Sequence, residues 1–316
     1  MKTTLHRGSR LLALCCACWC CSAVAVFAQD VAGTLTTAWE SFWQQTGYPR
    51  AVYKWQTPIR VRFTGVSPER HKEFTLRQLR DVAGHAGISI AEAAADDTTA
   101  NLQIEYFGAA APLPNNEPCV TFTRLRNYTI VSAKINANER SVWRCMLHES
   151  MHLMGFPGHP LRYSILTYFA RGAQLTEVDK LLLKTIYADN IAPGTSPFAV
   201  LEVLAQRLVD NTSEADRAAS RQAADTFLRK TIQEMEAFGN GAGDAPTVIV
   251  RSGKATKQGI ERGQVEIQYF LGLAYSHGHI VKPDPDKALS WLNKAAASSH
   301  GGAVAQLQRA AAAEKQ

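Results

Sequence analysis

The chain has 316 residues, with 34 Lys and Arg against 28 Asp and Glu, a formal charge of +6. Three of those basic residues, Lys2, Arg7 and Arg10, lie within the first 28, so the remainder carries only +3. That balance argues against nucleic acid or an anionic membrane as partner, and no later run of about 18 apolar residues offers a transmembrane segment.

The first 28 residues read as an address. A basic start precedes an apolar run over residues 11–27, and Val26-Phe27-Ala28 is an acceptable cleavage site before Gln29-Asp30. The expectation is a signal peptide over 1–28 and an exported protein, periplasmic or secreted. Cys15, Cys16, Cys18, Cys20 and Cys21 follow no lipoprotein box and read as small hydrophobes of the discarded leader. Only Cys119 and Cys145 remain. In an oxidising compartment they suggest one disulfide; the alternative is two buried thiols.

Residues 31–47 have the apolar spacing of an amphipathic helix, with Leu35, Trp39, Phe42 and Trp43 on one side. Residues 59–63 alternate as a half-buried strand, and 68–84 form a helix with Phe74, Leu76, Leu79 and Val82 inward. Residues 89–91 read as a turn end or short strand, and 101–107 as a clear alternating strand. A loop over 108–118 leads to two strand-like runs, 119–125 and 128–135. Asn138 is a good N-cap for a helix over 139–154. That helix is apolar almost all round, Trp143 included, which predicts burial in a core.

On it lies His148-Glu149-Ser150-Met151-His152, followed by Gly155 and His159. Histidines four apart on a helix share one face, so both rings can reach one ion, and Glu149 beside them can take a proton from a metal-activated water. Gly155 ends the helix and lets the chain turn back, which makes His159 the candidate third ligand. Three protein ligands plus water is the arrangement of a catalytic zinc site. Glu177 and Asp179, opening a helix over 176–187, are alternative third ligands, although Thr176 as that helix's cap gives them an ordinary electrostatic role.

With Ser164-Ile165-Leu166-Thr167-Tyr168, this pattern resembles the metzincin branch of zinc metallopeptidases, in which an S-x-M-x-Y turn follows the metal motif. The resemblance implies Leu166 as an apolar floor beneath the metal and Tyr168 as a second catalytic residue beside Glu149, stabilising an oxyanion. Two features depart from the pattern: Gly158 stands where the third ligand is usual, one residue before His159, and leucine replaces the turn methionine. Gly155-Phe156-Pro157-Gly158-His159, the Ser-Ile turn, Leu175-Thr176-Glu177-Val178-Asp179, Tyr187 and Pro193-Gly194 are closer to a little-characterised family of secreted bacterial zincin-like proteins, over roughly residues 50–198.

From residue 199 the composition shifts to Ala, Leu, Glu and Arg, read as two helices broken near Asn211-Thr212-Ser213. Tyr269-Phe270-Leu271-Gly272-Leu273-Ala274-Tyr275, then Gly278, Asp286-Lys287-Ala288, Trp291 and Lys294-Ala295-Ala296, resemble a Sel-one-like repeat, a two-helix unit related to tetratricopeptide repeats. A further helix is expected over 302–314.

The sequence therefore predicts an α+β fold: a zincin-like domain over 29–198, with a small mixed sheet and a buried metal helix, a helical linker over 199–254, and a repeat module over 255–316. The expected function is zinc-dependent peptide hydrolysis, with zinc on His148, His152 and His159 and a peptide or protein as substrate. The repeat would offer a surface to a protein partner. The alternative is a non-catalytic binding protein that keeps the fold and acts through its repeat.

Overall fold

A computed structural model describes residues 31–94, 96–109, 111, 113, 117–167 and 174–313. The expected leader (1–28) and Tyr168 lie outside the described residues.

Alternation in the sequence becomes a five-stranded sheet: β1 (Ile59–Gly65), β2 (Ile90–Glu92), β3 (Leu102–Phe107), β4 (Cys119–Arg126) and β5 (Thr129–Asn138), in the order β2-β1-β3-β5-β4. β1, β2, β3 and β5 run parallel, whereas β4 lies antiparallel to β5 and forms an edge. Ile59, Val61, Leu102, Ile104, Ile130 and Ile135 bury one face of the sheet. The β4–β5 hairpin turns through Asn127 and Tyr128, both with positive φ (48° and 62°), the twist a tight antiparallel turn requires.

The helices α1 (Val31–Ser41), α2 (Pro68–His85), α3 (Val142–Leu153) and α4 (Glu177–Ile186) build the rest of the first half. α1 is shorter than its apolar spacing predicts. After Ser41 the chain turns, and Trp43 bridges to Pro49. Beyond come α5 (Pro197–Asp210), α6 (Arg217–Gly239), α7 (Thr247–Ser252), α8 (Lys257–His277), α9 (Pro285–Ala297) and α10 (Gly301–Ala313). The break at 211–213 and the α8–α9 pair fall where the sequence places them. Gly272 lies against Leu292, letting α8 and α9 approach closely.

One apolar cluster runs from Val31 to Trp291, so the helices after residue 199 share the core of the sheet region. α1 and the turn after it are the pivot: Trp39 stacks on Phe198 of α5 (5.5 Å) and Trp43 meets Phe238 of α6 edge-on (5.8 Å).

Two sequence expectations about the metal helix need correction. Asn138 does not cap it, because Asn138 ends β5 and its amide donates to Gly108 O and Ala109 O; α3 begins at Val142, after Ser141. Nor is the helix buried all round, since Trp143 is 69% exposed. It precedes Arg144 on the outer side of the first turn, and the Arg144 guanidinium lies 5.3 Å from its ring.

Cys119 at the start of β4 pairs with Cys145 of α3, their Cα atoms 6.2 Å apart. The pair ties the edge strand to the metal helix one turn before His148. Cys145→Ala is expected to lower stability by about 3 kcal/mol, the loop-closure value for a bridge of this span, read as the shift of a urea unfolding midpoint against the oxidised wild type.

Candidate metal centre

α3 ends where three backbone features coincide. Gly155 takes φ +103°, and a Cβ there would collide with Tyr53 O. Trp55 Nε1 donates to Leu153 O (3.0 Å) and the Tyr187 hydroxyl to Met154 O (3.1 Å), satisfying carbonyls the helix end leaves open. Gly158 N then donates to Ser41 O (2.9 Å). A side chain at 158 would strike Glu40 O, so the residue able to present a ring to the helix is the next one, His159. This accounts for the one-residue displacement of the third histidine.

The rings of His148, His152 and His159 converge. Their Nε2 atoms lie 3.1 Å (148–159), 3.0 Å (148–152) and 3.2 Å (152–159) apart. Nitrogens around a tetrahedral ion with ~2.0 Å bonds are separated by roughly 3.3 Å. Each Nδ1 is held from behind: His148 by Ile165 O (3.0 Å), His152 by Phe156 O (2.6 Å) and His159 by the Gln45 side-chain amide (2.6 Å).

A carbonyl oxygen only accepts, so the protons of His148 and His152 sit on Nδ1 and their Nε2 atoms present lone pairs. Burial pushes all three histidines toward the neutral form. His148 is brought down to about 4 by burial and then by His152. His152 is lowered by burial, and His159 by burial and then by the charges of His152, His148 and Lys254. Two neutral rings thus aim lone pairs at each other across 3.0 Å, a repulsive arrangement unless a cation lies among them. The three histidines form a group able to hold a metal ion, and an all-imidazole donor set suits a first-row transition metal better than magnesium or calcium.

Glu149 is buried (6% exposed), and its Oε2 accepts from the Thr121 hydroxyl of β4 at 2.7 Å. Burial raises its pKa, opposed by His148 and by the Thr121 hydrogen bond; a nearby cation acts in the same direction as those two. The histidines and Glu149 lie in a cleft of about 720 Å3, walled by β4 residues 119–121 and 123, by Arg50 and Arg144, and by Lys254.

Neither alternative third ligand joins the cluster. Glu177 pairs with Lys180 (2.7 Å) at the surface. Asp179 is fully buried and accepts from the Ser164 hydroxyl (2.5 Å), Ile165 N (3.0 Å), Thr176 N (2.9 Å) and the Thr176 hydroxyl (2.8 Å). It fastens the 164–166 turn, whose Ile165 carbonyl holds His148, to the capped start of α4. Leu166 in that turn is completely buried.

A family profile described as "Protein of unknown function (DUF2927)" matches residues 35–206, more than half of the chain. The chain belongs to this family. The DUF2927 region contains the sheet, most of α1, all of α2 to α4, most of α5, and all three histidines. A second profile, the Sel1 repeat, matches residues 265–300, which cover α9 and most of α8. No curated protein and no solved structure matches the chain.

Three residues of this DUF2927 site escape a reading of spacing alone. Thr121 and Gln45 reach the centre only through the fold, from positions 28 residues before Glu149 and 114 before His159. Thr167 lines the cleft, and its buried hydroxyl has no hydrogen-bond partner among the described residues. The neighbouring Ser-Ile pair is the nearest sequence signal for Thr167; Thr121 and Gln45 have none.

Proposed function

We propose that this protein is an exported zinc-dependent peptidase with a zincin-like domain. The observation that carries the reading is the convergence of the His148, His152 and His159 Nε2 atoms to within 3.2 Å of one another, with the buried carboxylate of Glu149 beside them. His148, His152 and His159 would hold zinc, which when bound supplies Lewis acidity and makes water a nucleophile at neutral pH.

The chain's own residues do the rest. Glu149 accepts the proton of the attacking water and later delivers it to the leaving amine, and Thr121 fixes which carboxylate oxygen is engaged. β4 is an edge strand along the cleft, so its free edge suits an extended peptide added as a further strand. Tyr168, next in the chain, is the proposed oxyanion partner.

The test is cleavage of a mixed peptide library, read by mass spectrometry. Cleavage abolished by a chelator and restored by zinc supports the proposal. Zinc-loaded protein that cleaves nothing contradicts it and favours the second reading, a binding protein acting through its Sel1 repeat.

A further inference from the structure

The turn between α1 and the first strand carries Gln45, which holds His159 from behind. Within itself the turn closes by Gln44 N to Tyr48 O (2.9 Å), Gly47 N to Gln44 O (2.9 Å) and Arg50 N to Phe42 O (2.9 Å). Its outer side rests on residues well beyond the DUF2927 match. Ser252 donates to Gln45 O (3.4 Å), Thr256 N donates to Thr46 O (3.0 Å), and the Arg262 guanidinium lies 4.1 Å from the Tyr48 ring centre.

The approach of α8 is backbone against backbone. A Cβ at Gly259 would collide with Thr46 O, and one at Gly263 with Gly47 O. Glycine at both positions lets the helix lie directly on the tip of the turn. Lys254, just before α8, lines the cleft and pairs with Glu117 (3.1 Å).

We propose that the C-terminal helical region is a positioning element of the metal centre: residues 252–263 fix the turn, the turn fixes Gln45, and Gln45 fixes the ring of His159. The proposal rests on the histidines holding a metal. Gln45 Nε2 lies 2.6 Å from His159 Nδ1; a half-turn of the amide about its last bond exchanges nitrogen for oxygen at the same place, and in that orientation the amide accepts from Nδ1–H and gives His159 the tautomer of His148 and His152. α8 runs unbroken from this clamp into the Sel1 repeat, so a displacement of the repeat is transmitted to the turn. By linkage, a partner that shifts α8 changes metal affinity, and metal changes affinity for that partner.

The test uses the full mature chain and reads zinc affinity by chelator competition, the visible spectrum of the cobalt form, and the thermal midpoint of the metal-free protein. Gln45→Ala is expected to weaken zinc binding by about 10–100-fold, the usual effect of removing a support behind a ligand histidine, without moving the metal-free midpoint. Gln45→Glu retains tight binding, because its carboxylate accepts the same proton. Gly259→Ala weakens binding and alters the cobalt spectrum, and Arg262→Ala does so to a smaller degree if the glycine variant does not fold. Leu289→Ala, on an exposed face of α9, changes nothing. Wild-type affinity in Gln45→Ala, or in the foldable α8 variants, overturns the inference while leaving the metal centre standing. A wild type that binds no zinc overturns both.

Discussion

Glu149→Gln is expected to leave zinc content unchanged and to reduce peptide turnover by about 10²–10⁴-fold, the usual contribution of a general base. The substitution keeps the shape of the side chain and an oxygen for the Thr121 hydroxyl at its 2.7 Å position, so the fold has little reason to change. It removes the only function a carboxylate has there, taking a proton. Glu149 is not one of the three converging histidines, so metal binding should survive. Rates measured on one cleaved peptide, with zinc content determined on the same samples, separate the two effects. An active Glu149→Gln protein would end the peptidase reading as written.

Asp179→Ala should be the most damaging single change to stability outside the apolar core. The carboxylate is fully buried and receives four hydrogen bonds, from Ser164, Ile165 and, twice, Thr176. Deleting it strands several buried donors, each costing about 1–3 kcal/mol, and about 3–5 kcal/mol in total is expected after local relaxation. The damage should also reach the metal centre, because Ile165 gives its N–H to Asp179 and its carbonyl to His148. Denaturant unfolding of the metal-free protein reads the first effect and zinc affinity the second. Asp179→Asn, which keeps one acceptor oxygen, should fall between Ala and wild type on both.

What the sequence shows of this molecule divides along physical lines. Strands with one buried face write their period into the chain, and 59–63 and 101–107 appear where β1 and β3 do. The α4 start was legible for a similar reason: Thr176 and Asp179 form a capping box, an interaction three residues long. The histidine pair is local too, since helical spacing alone places His148 and His152 on one face. By contrast, Asn138 has the chemistry of a cap, but its oxygen accepts from Arg140 N before the helix begins, and its amide donates to Gly108 and Ala109, about 30 residues back. Trp143 is apolar yet exposed, because which side of a helix meets the core is settled by partners that spacing does not name.

The supports of the site were hidden for the same reason. Thr121, Gln45 and the carbonyls of Ile165 and Phe156 act on the histidines and Glu149 from other elements or across a tight turn. Even the displacement of the third histidine has a tertiary cause. Gly158 lies against the backbone of Glu40, so a side chain there has no room, and the ring that joins the cluster is that of His159.

The metal centre is tested most directly by the metal content of the purified protein, wild type beside His159→Ala, by elemental mass spectrometry. One equivalent of zinc is expected in the wild type, and a loss, or a marked weakening, in the variant. Full zinc retention by His159→Ala, or no metal in the wild type after reconstitution, would contradict it.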